Sequence, residues 1–215
     1  MAGLALGAGG TAIARDAAEP AKPQLSPVVD IDPASDPANV LNLDLSNGGR
    51  VVIRLVPGWA PNHVERIKTL VGQHFYDGIL FHRVIDGFMA QTGDPTGTGG
   101  GGSSLPDLKA EFNALPHLRG TVSMARTNDP DSANSQFFIV FYPRFALDKK
   151  YTVFGRVIRG MDVVDAIAKG EPPANPTRIV RATLGAEGVP PPAPAPVGPA
   201  GSDITIDQLN NSASD

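Results

Sequence analysis

A chain of 215 residues with 41% hydrophobic content, a net charge of -4 and a pI near 5.5 is long enough for one packed domain with tails. It lacks the concentrated basic surface that a phosphate backbone requires, which argues against nucleic acid as a partner. With no cysteine, disulfide frameworks, thiolate nucleophiles and thiolate zinc sites are excluded.

Residues 1–14 are uncharged and end in Ala12-Ile13-Ala14, which has the small-x-small form of a signal-peptidase site but lacks a basic segment before it. Two readings stay open: a clipped secretory signal, giving a periplasmic protein, or an Ala/Gly-rich tail on a cytoplasmic one. The cleavage-site form favours the periplasm. No later stretch is apolar for long enough to span a membrane. From Arg15 to about Asn39, Pro20, Pro23, Pro27, Pro33 and Pro37 stand among scattered acids, so residues 1–38 are expected to be a signal-like, disordered leader.

Val40–Leu45 alternates with period two, and Asn47-Gly48-Gly49 links it to Arg50–Leu55, a hairpin pattern. Pro61 in a first-turn position, followed by Val64, Ile67, Leu70 and Val71, predicts an amphipathic helix over about 60–72. Strands are expected at Leu80–Val84, Met89–Thr92, Thr121–Ala125, Gln136–Val140, Thr152–Ile158 and Ile179–Leu184. Met161, Val164 and Ile167 mark a second helix closed by Gly170. The fold expected for 39–186 is mainly β, a closed eight-stranded antiparallel β-barrel capped by two α-helices, since closure removes exposed edges. The run Val189-Pro190-Pro191-Pro192 and the prolines beyond it favour polyproline II, so 187–215 reads as a Pro-rich disordered tail.

Gly97-Thr98-Gly99-Gly100-Gly101-Gly102 satisfies G-x-G-x-x-G, but neither a strand nor a helix flanks it, so a flexible surface loop is expected rather than a dinucleotide site. His63, His74, His82 and His117 show no zinc-site spacing and are taken as structural. Neither Ser123 nor Ser135 lies in a nucleophile elbow. Phe88, Met89 and Phe138 would each suit a barrel core, yet Arg83, Gln91, Arg126 and Gln136 recur beside them. Buried polar groups are costly unless bonded or functional, so the combination predicts an apolar concavity with a few fixed donors.

Three segments, Phe81 to Asp94, Gly120 to Arg126, and Ser135 to Ile139 running on to Tyr151–Gly155, make the chain resemble a bacterial cyclophilin-type peptidyl-prolyl cis-trans isomerase over about residues 40–184. The resemblance implies the capped barrel and an isomerase that needs no cofactor or metal. It assigns Arg83 as the catalytic arginine, hydrogen bonding to the prolyl nitrogen. Phe88, Met89, Phe138 and Leu147 become walls of a proline pocket; Phe88 and Gln91 are counted with the catalytic set. Gln91 and Gln136 would orient the substrate backbone and the arginine, while Ala125 and Arg126 form a rim that uses main-chain groups. Tyr151 stands where many relatives have histidine. Ala146 falls where the best-known members carry a tryptophan, so weak cyclosporin binding is expected. The implied partners are proline-containing peptides and unfolded proteins, with the protein itself a monomer. The competing reading is a proline-peptide binding module or chaperone that keeps the pocket but catalyses little.

Overall fold

A computed structural model describes residues 28–193; the Ala12-Ile13-Ala14 motif and most of the Pro-rich tail lie outside the described residues. The alternating segments form β1 (Val40–Leu45) and β2 (Arg50–Leu55). They turn through Gly48 at φ 92, a backbone setting that favours glycine. α1 (Pro61–Gly72) starts on its proline, and Val64, Ile67, Leu70 and Val71 on its apolar face are buried. β3 (Arg83–Ile85), β4 (Met89–Thr92), β5 (Thr121–Met124), β6 (Phe137–Val140), β7 (Val153–Arg159), α2 (Met161–Asp165) and β8 (Ile179–Leu184) complete the unit.

All the pairings are antiparallel, in the order β3-β4-β6-β5-β7-β2-β1-β8. Leu41, Leu43, Ile53, Leu55, Phe137, Ile139 and Phe154 fill the interior together with the apolar face of α1, each large side chain contributing about 1.5–3 kcal/mol by leaving water.

Two expectations need correction. The eight strands form a half-barrel with β3 and β8 at its ends, and the seam between them is not a continuous strand ladder: Gly78, Ile79 and Phe81, ahead of β3, hydrogen bond through their backbone to Thr177 and Ile179, beside the isolated bridges Leu80–Arg178 and Val84–Gly170. Pro172, Pro173 and Pro176 lie on the returning strand side, and residues without an N–H cannot sustain a ladder. The second helix ends at Asp165, not at Gly170. Ile167 reaches the core from the segment after it, so the apolar spacing that suggested a longer helix is satisfied without one. Gly170 serves the seam instead, at φ 142, where an added Cβ would meet Pro173 Cα at 2.6 Å.

Both flanks of the unit are held by arginines. Arg54, 4% exposed, donates to the carbonyls of Asp30, Asp32 and Asp36 and to Ser35 Oγ. Its burial is thereby satisfied, and Pro37 and Ala38, given to the leader by composition, begin the 3-10 turn Pro37–Asn39. Arg50 grips Asp44 with two bonds and donates to the carbonyls of Val189 and Pro190, where the Pro-rich segment begins.

Candidate active site

Period-two alternation on β4 and β6 makes two clusters from adjacent residues. Ala90, Phe137 and Ile139 face the main core, whereas Met89, Phe138 and Val140 form a separate cluster with Ile85, Phe88, Ala125, Leu147 and Tyr151 packed against it. Register then sets a row across four strands: Arg83 on β3 is opposite Gln91 on β4, Gln91 is opposite Phe138 on β6, and Phe138 is opposite Ser123 on β5. One row thus carries a cation, an amide and an aromatic ring on neighbouring strands.

The row borders a hollow of about 130 Å³ lined by Arg83, Phe88, Met89, Gln91, Ala125, Arg126, Phe138, Leu147 and Tyr151. Met89 and Phe138 are buried at 1% and 5% exposure; they are core and wall at once. Gln136 lies in an adjoining hollow of about 310 Å³ that shares Gln91, Ala125 and Arg126 with the first. The structure therefore brings together nine of the ten residues named from sequence and puts the tenth next door. The smaller hollow is well under the ~300–1,000 Å³ of sites that engulf a whole small molecule, so it suits one side chain of a longer ligand.

Backing residues stiffen the wall. The Phe138 ring meets Tyr151 edge-on at 5.6 Å and lies nearly parallel to His117 at 6.2 Å. His117 bonds Asp148 at 2.8 Å through Nδ1 and Ser123 at 2.9 Å through Nε2. Burial lowers the His117 pKa, an effect only partly offset by Asp148. Arg144 sits over the outer face of Phe88 at 5.2 Å and donates to the Gly87 carbonyl.

The polar edge differs from expectation at three points. The Arg126 guanidinium lies 4.6 Å over the Tyr151 ring and donates to the Lys150 carbonyl, so its side chain, and not only its main chain, builds the rim. Gln91 directs Nε2 to Gln136 Oε1 at 2.9 Å, and Gln136 donates to the carbonyls of Gly99 and Gly101. These amides orient one another. Arg83 is bound instead to Glu171, Nε to Oε2 at 2.7 Å, a carboxylate that sequence reasoning missed.

The glycine-rich segment is also more organised than a flexible loop. Asp94 accepts from the backbone N–H of Thr96, Thr98 and Gly99 and from Thr96 Oγ1. Burial pushes its carboxyl up, but these donors outweigh burial and hold it at about 2. A Cβ at Gly101 would meet Asp94 Oδ1 at 2.2 Å, which explains a glycine there. The loop then presents Gly99–Ser103 to the larger hollow. Phe112, Ser132 and Asn134 join the neighbourhood from loops without sequence signals of their own. Among the described residues, no group of three or more His, Asp or Glu could hold a metal ion, and no helix is long and apolar enough to cross a membrane.

Comparisons agree with this geometry. The family model described as "Cyclophilin type peptidyl-prolyl cis-trans isomerase/CLD" matches residues 40–184. A probable peptidyl-prolyl cis-trans isomerase of Brucella suis is 48% identical over 170 residues, covering 72% of this chain and 86% of that protein. The crystal structure of a cyclophilin from Hirschia baltica superposes with a TM-score of 0.65 at 33% identity, over 69% of this chain and 74% of that one. A Cryptosporidium parvum cyclophilin type peptidyl-prolyl cis-trans isomerase, solved in the presence of the dipeptide Ala-Pro, gives a TM-score of 0.63 at 28% identity, over 67% and 98% of the two chains. The chain belongs to the cyclophilin-type peptidyl-prolyl cis-trans isomerases and is an isomerase.

Proposed function

We propose that Arg83 accelerates X–Pro rotation in folding polypeptides by hydrogen bonding to the prolyl nitrogen while the ring sits against Phe88, Met89, Phe138 and Leu147. The observation that carries this reading is the 130 Å³ hollow that brings Arg83 to the edge of a wall made by Phe88, Met89, Phe138 and Leu147. The Arg83 side chain has one hydrogen-bond partner among the described residues, and that bond uses Nε, leaving both terminal nitrogens to donate.

Rotation breaks amide resonance at a barrier of about 18–20 kcal/mol. A thousandfold acceleration requires about 4 kcal/mol of transition-state stabilisation, and one preorganised donor in a dry site can supply about 2.7–4 kcal/mol. The prolyl nitrogen regains its lone pair as conjugation is lost, so the bond is strongest in the twisted state, as catalysis requires. The apolar wall excludes water, strengthens that bond and lowers the polarity around the twisted amide.

Ala125 and Arg126 pin the peptide at the rim, and Gln91 and Gln136 meet its backbone. Proline-containing peptides and unfolded chains are the substrates, the protein acts as a monomer, and the form of Ala12-Ile13-Ala14 supports a periplasmic site of action. N-terminal mass spectrometry of the native protein, showing a start at Arg15, would support that location; an intact N-terminus would count against it.

The test of the mechanism is NMR exchange between cis and trans forms of an Ala-Pro peptide, run beside Arg83→Ala. Acceleration lost in the variant supports the role of Arg83, and equal turnover rules it out. Peptide binding without acceleration by the unaltered protein would instead support a binding module.

A further inference from the structure

The geometry points to Glu171 as the positioning residue for Arg83, an inference that rests on the catalytic role proposed above for that arginine. Glu171 Oε2 accepts from Arg83 Nε at 2.7 Å. The carboxylate occupies the one nitrogen that lies inside the side chain's stem, so it fixes the plane of the guanidinium without using either terminal nitrogen. A bond at a terminal nitrogen would instead compete with the substrate.

Glu171 is itself held in place by backbone. Val84 and Gly170 exchange two hydrogen bonds, Val84 N–H to the Gly170 carbonyl at 2.8 Å and Gly170 N–H to the Val84 carbonyl at 2.9 Å. Val84 follows Arg83 directly, and Gly170 precedes Glu171 directly, so the antiparallel bridge brings the two side chains together at the seam. Gly170 is crowded against Pro173 Cα and nitrogen and the Pro172 carbonyl, leaving no space for a side chain there. Glu171 and Pro172 line a second hollow that Arg83 and Gln91 also border, together with His82, Thr98 and Gly99. The seam between β3 and the segment leading to β8 is thus where the arginine receives its support.

Arginine has many rotamers, and side chains 41% and 51% exposed form a pair worth at most about 1 kcal/mol, equal to about fivefold in population. That is the scale of the effect to measure. It should fall on turnover and not on binding, because the apolar wall that takes the ring does not include Glu171.

The experiment compares the full chain with Glu171→Ala, Glu171→Gln, Arg83→Ala and the Arg83→Ala, Glu171→Ala double variant, following Ala-Pro peptide exchange by NMR. Glu171→Ala should lower kcat about fivefold with KM unchanged, and Glu171→Gln, which keeps a neutral acceptor, should restore most of it. The double variant should be no slower than Arg83→Ala, and the Arg83 Nε–H resonance should lose its protection from solvent exchange in Glu171→Ala. Wild-type kcat in Glu171→Ala while Arg83→Ala is inactive overturns the positioning role alone. A further loss in the double variant also overturns it, since Glu171 would then act without Arg83. Full activity in Arg83→Ala removes the mechanism on which the inference stands.

Discussion

His117 lies behind Phe138 with the two rings 15° from parallel and 6.2 Å between centroids, so a buried imidazole backs the apolar wall of the site. The imidazole is fixed at both nitrogens, by Asp148 and by Ser123. Removing the acceptor leaves a buried N–H unpaired, at about 1–3 kcal/mol. Asp148→Ala should therefore lower unfolding free energy by about that amount in urea denaturation, and, because the same loop carries Leu147, raise KM for an X–Pro peptide.

Arg126 is expected to contribute through its side chain. Its guanidinium covers Tyr151 and spans towards Phe112, 5.7 Å from that ring. Such a stack is worth about 0.5–1 kcal/mol when exposed. Arg126→Ala should raise KM by about twofold to fivefold with kcat little changed. A KM equal to wild type in steady-state peptide assays would restrict the residue to its main chain.

Cyclosporin should bind weakly. Ala146 is exposed beside Leu147 on the 3-10 turn Phe145–Leu147 and offers neither a ring surface nor an indole donor. Ala146→Trp should tighten binding by tenfold or more, about 1.4 kcal/mol, as an aromatic anchor does. Calorimetry decides this: tight binding by the unaltered protein, or no gain in the variant, would remove Ala146 as the determinant.

Stability should decline on mild acidification. Burial lowers the pKa values of His63, His82 and His117, partly offset by Glu111 at His63, chiefly Asp94 at His82, and Asp148 at His117. The unfolded chain takes up these protons near pH 6.5, before the folded protein does. It therefore binds more protons just below that pH, and stability falls as pH drops. The slope should reach at most about 1.4 kcal/mol per pH unit for each histidine. Asp94, held at about 2, adds a second loss between about pH 4 and pH 2. Urea midpoints measured at pH 7.5, 6 and 5 should fall in that order; a flat profile would mean that the imidazoles charge without cost.

The site was legible where local pattern and side-chain direction coincide. Period two in Met89–Thr92 and Phe137–Val140 separates the residues of one face from those of the other, and Arg83, Gln91 and Phe138 fall in register as that pattern requires. Helix α1 was legible because Pro61 and the apolar spacing act within a few residues. The second helix was overextended, since apolar spacing records which residues reach the core and not which backbone carries them there.

Sequence by itself determined most of the strands, though β3 runs over Arg83–Ile85 and not the expected Leu80–Val84, together with the first helix, the apolar wall and the arginine beside it, because each rests on contacts between neighbours in the chain or in a paired strand. Only the tertiary structure decided that β3 and β8 meet through a seam and not a continuous ladder, that Arg126 folds over Tyr151, that Asp94 organises the glycine loop, and that Glu171 meets Arg83 across 88 positions. The physical reason is that these side chains are brought together by loops and by the seam, where no repeating geometry links position in the chain to position in space.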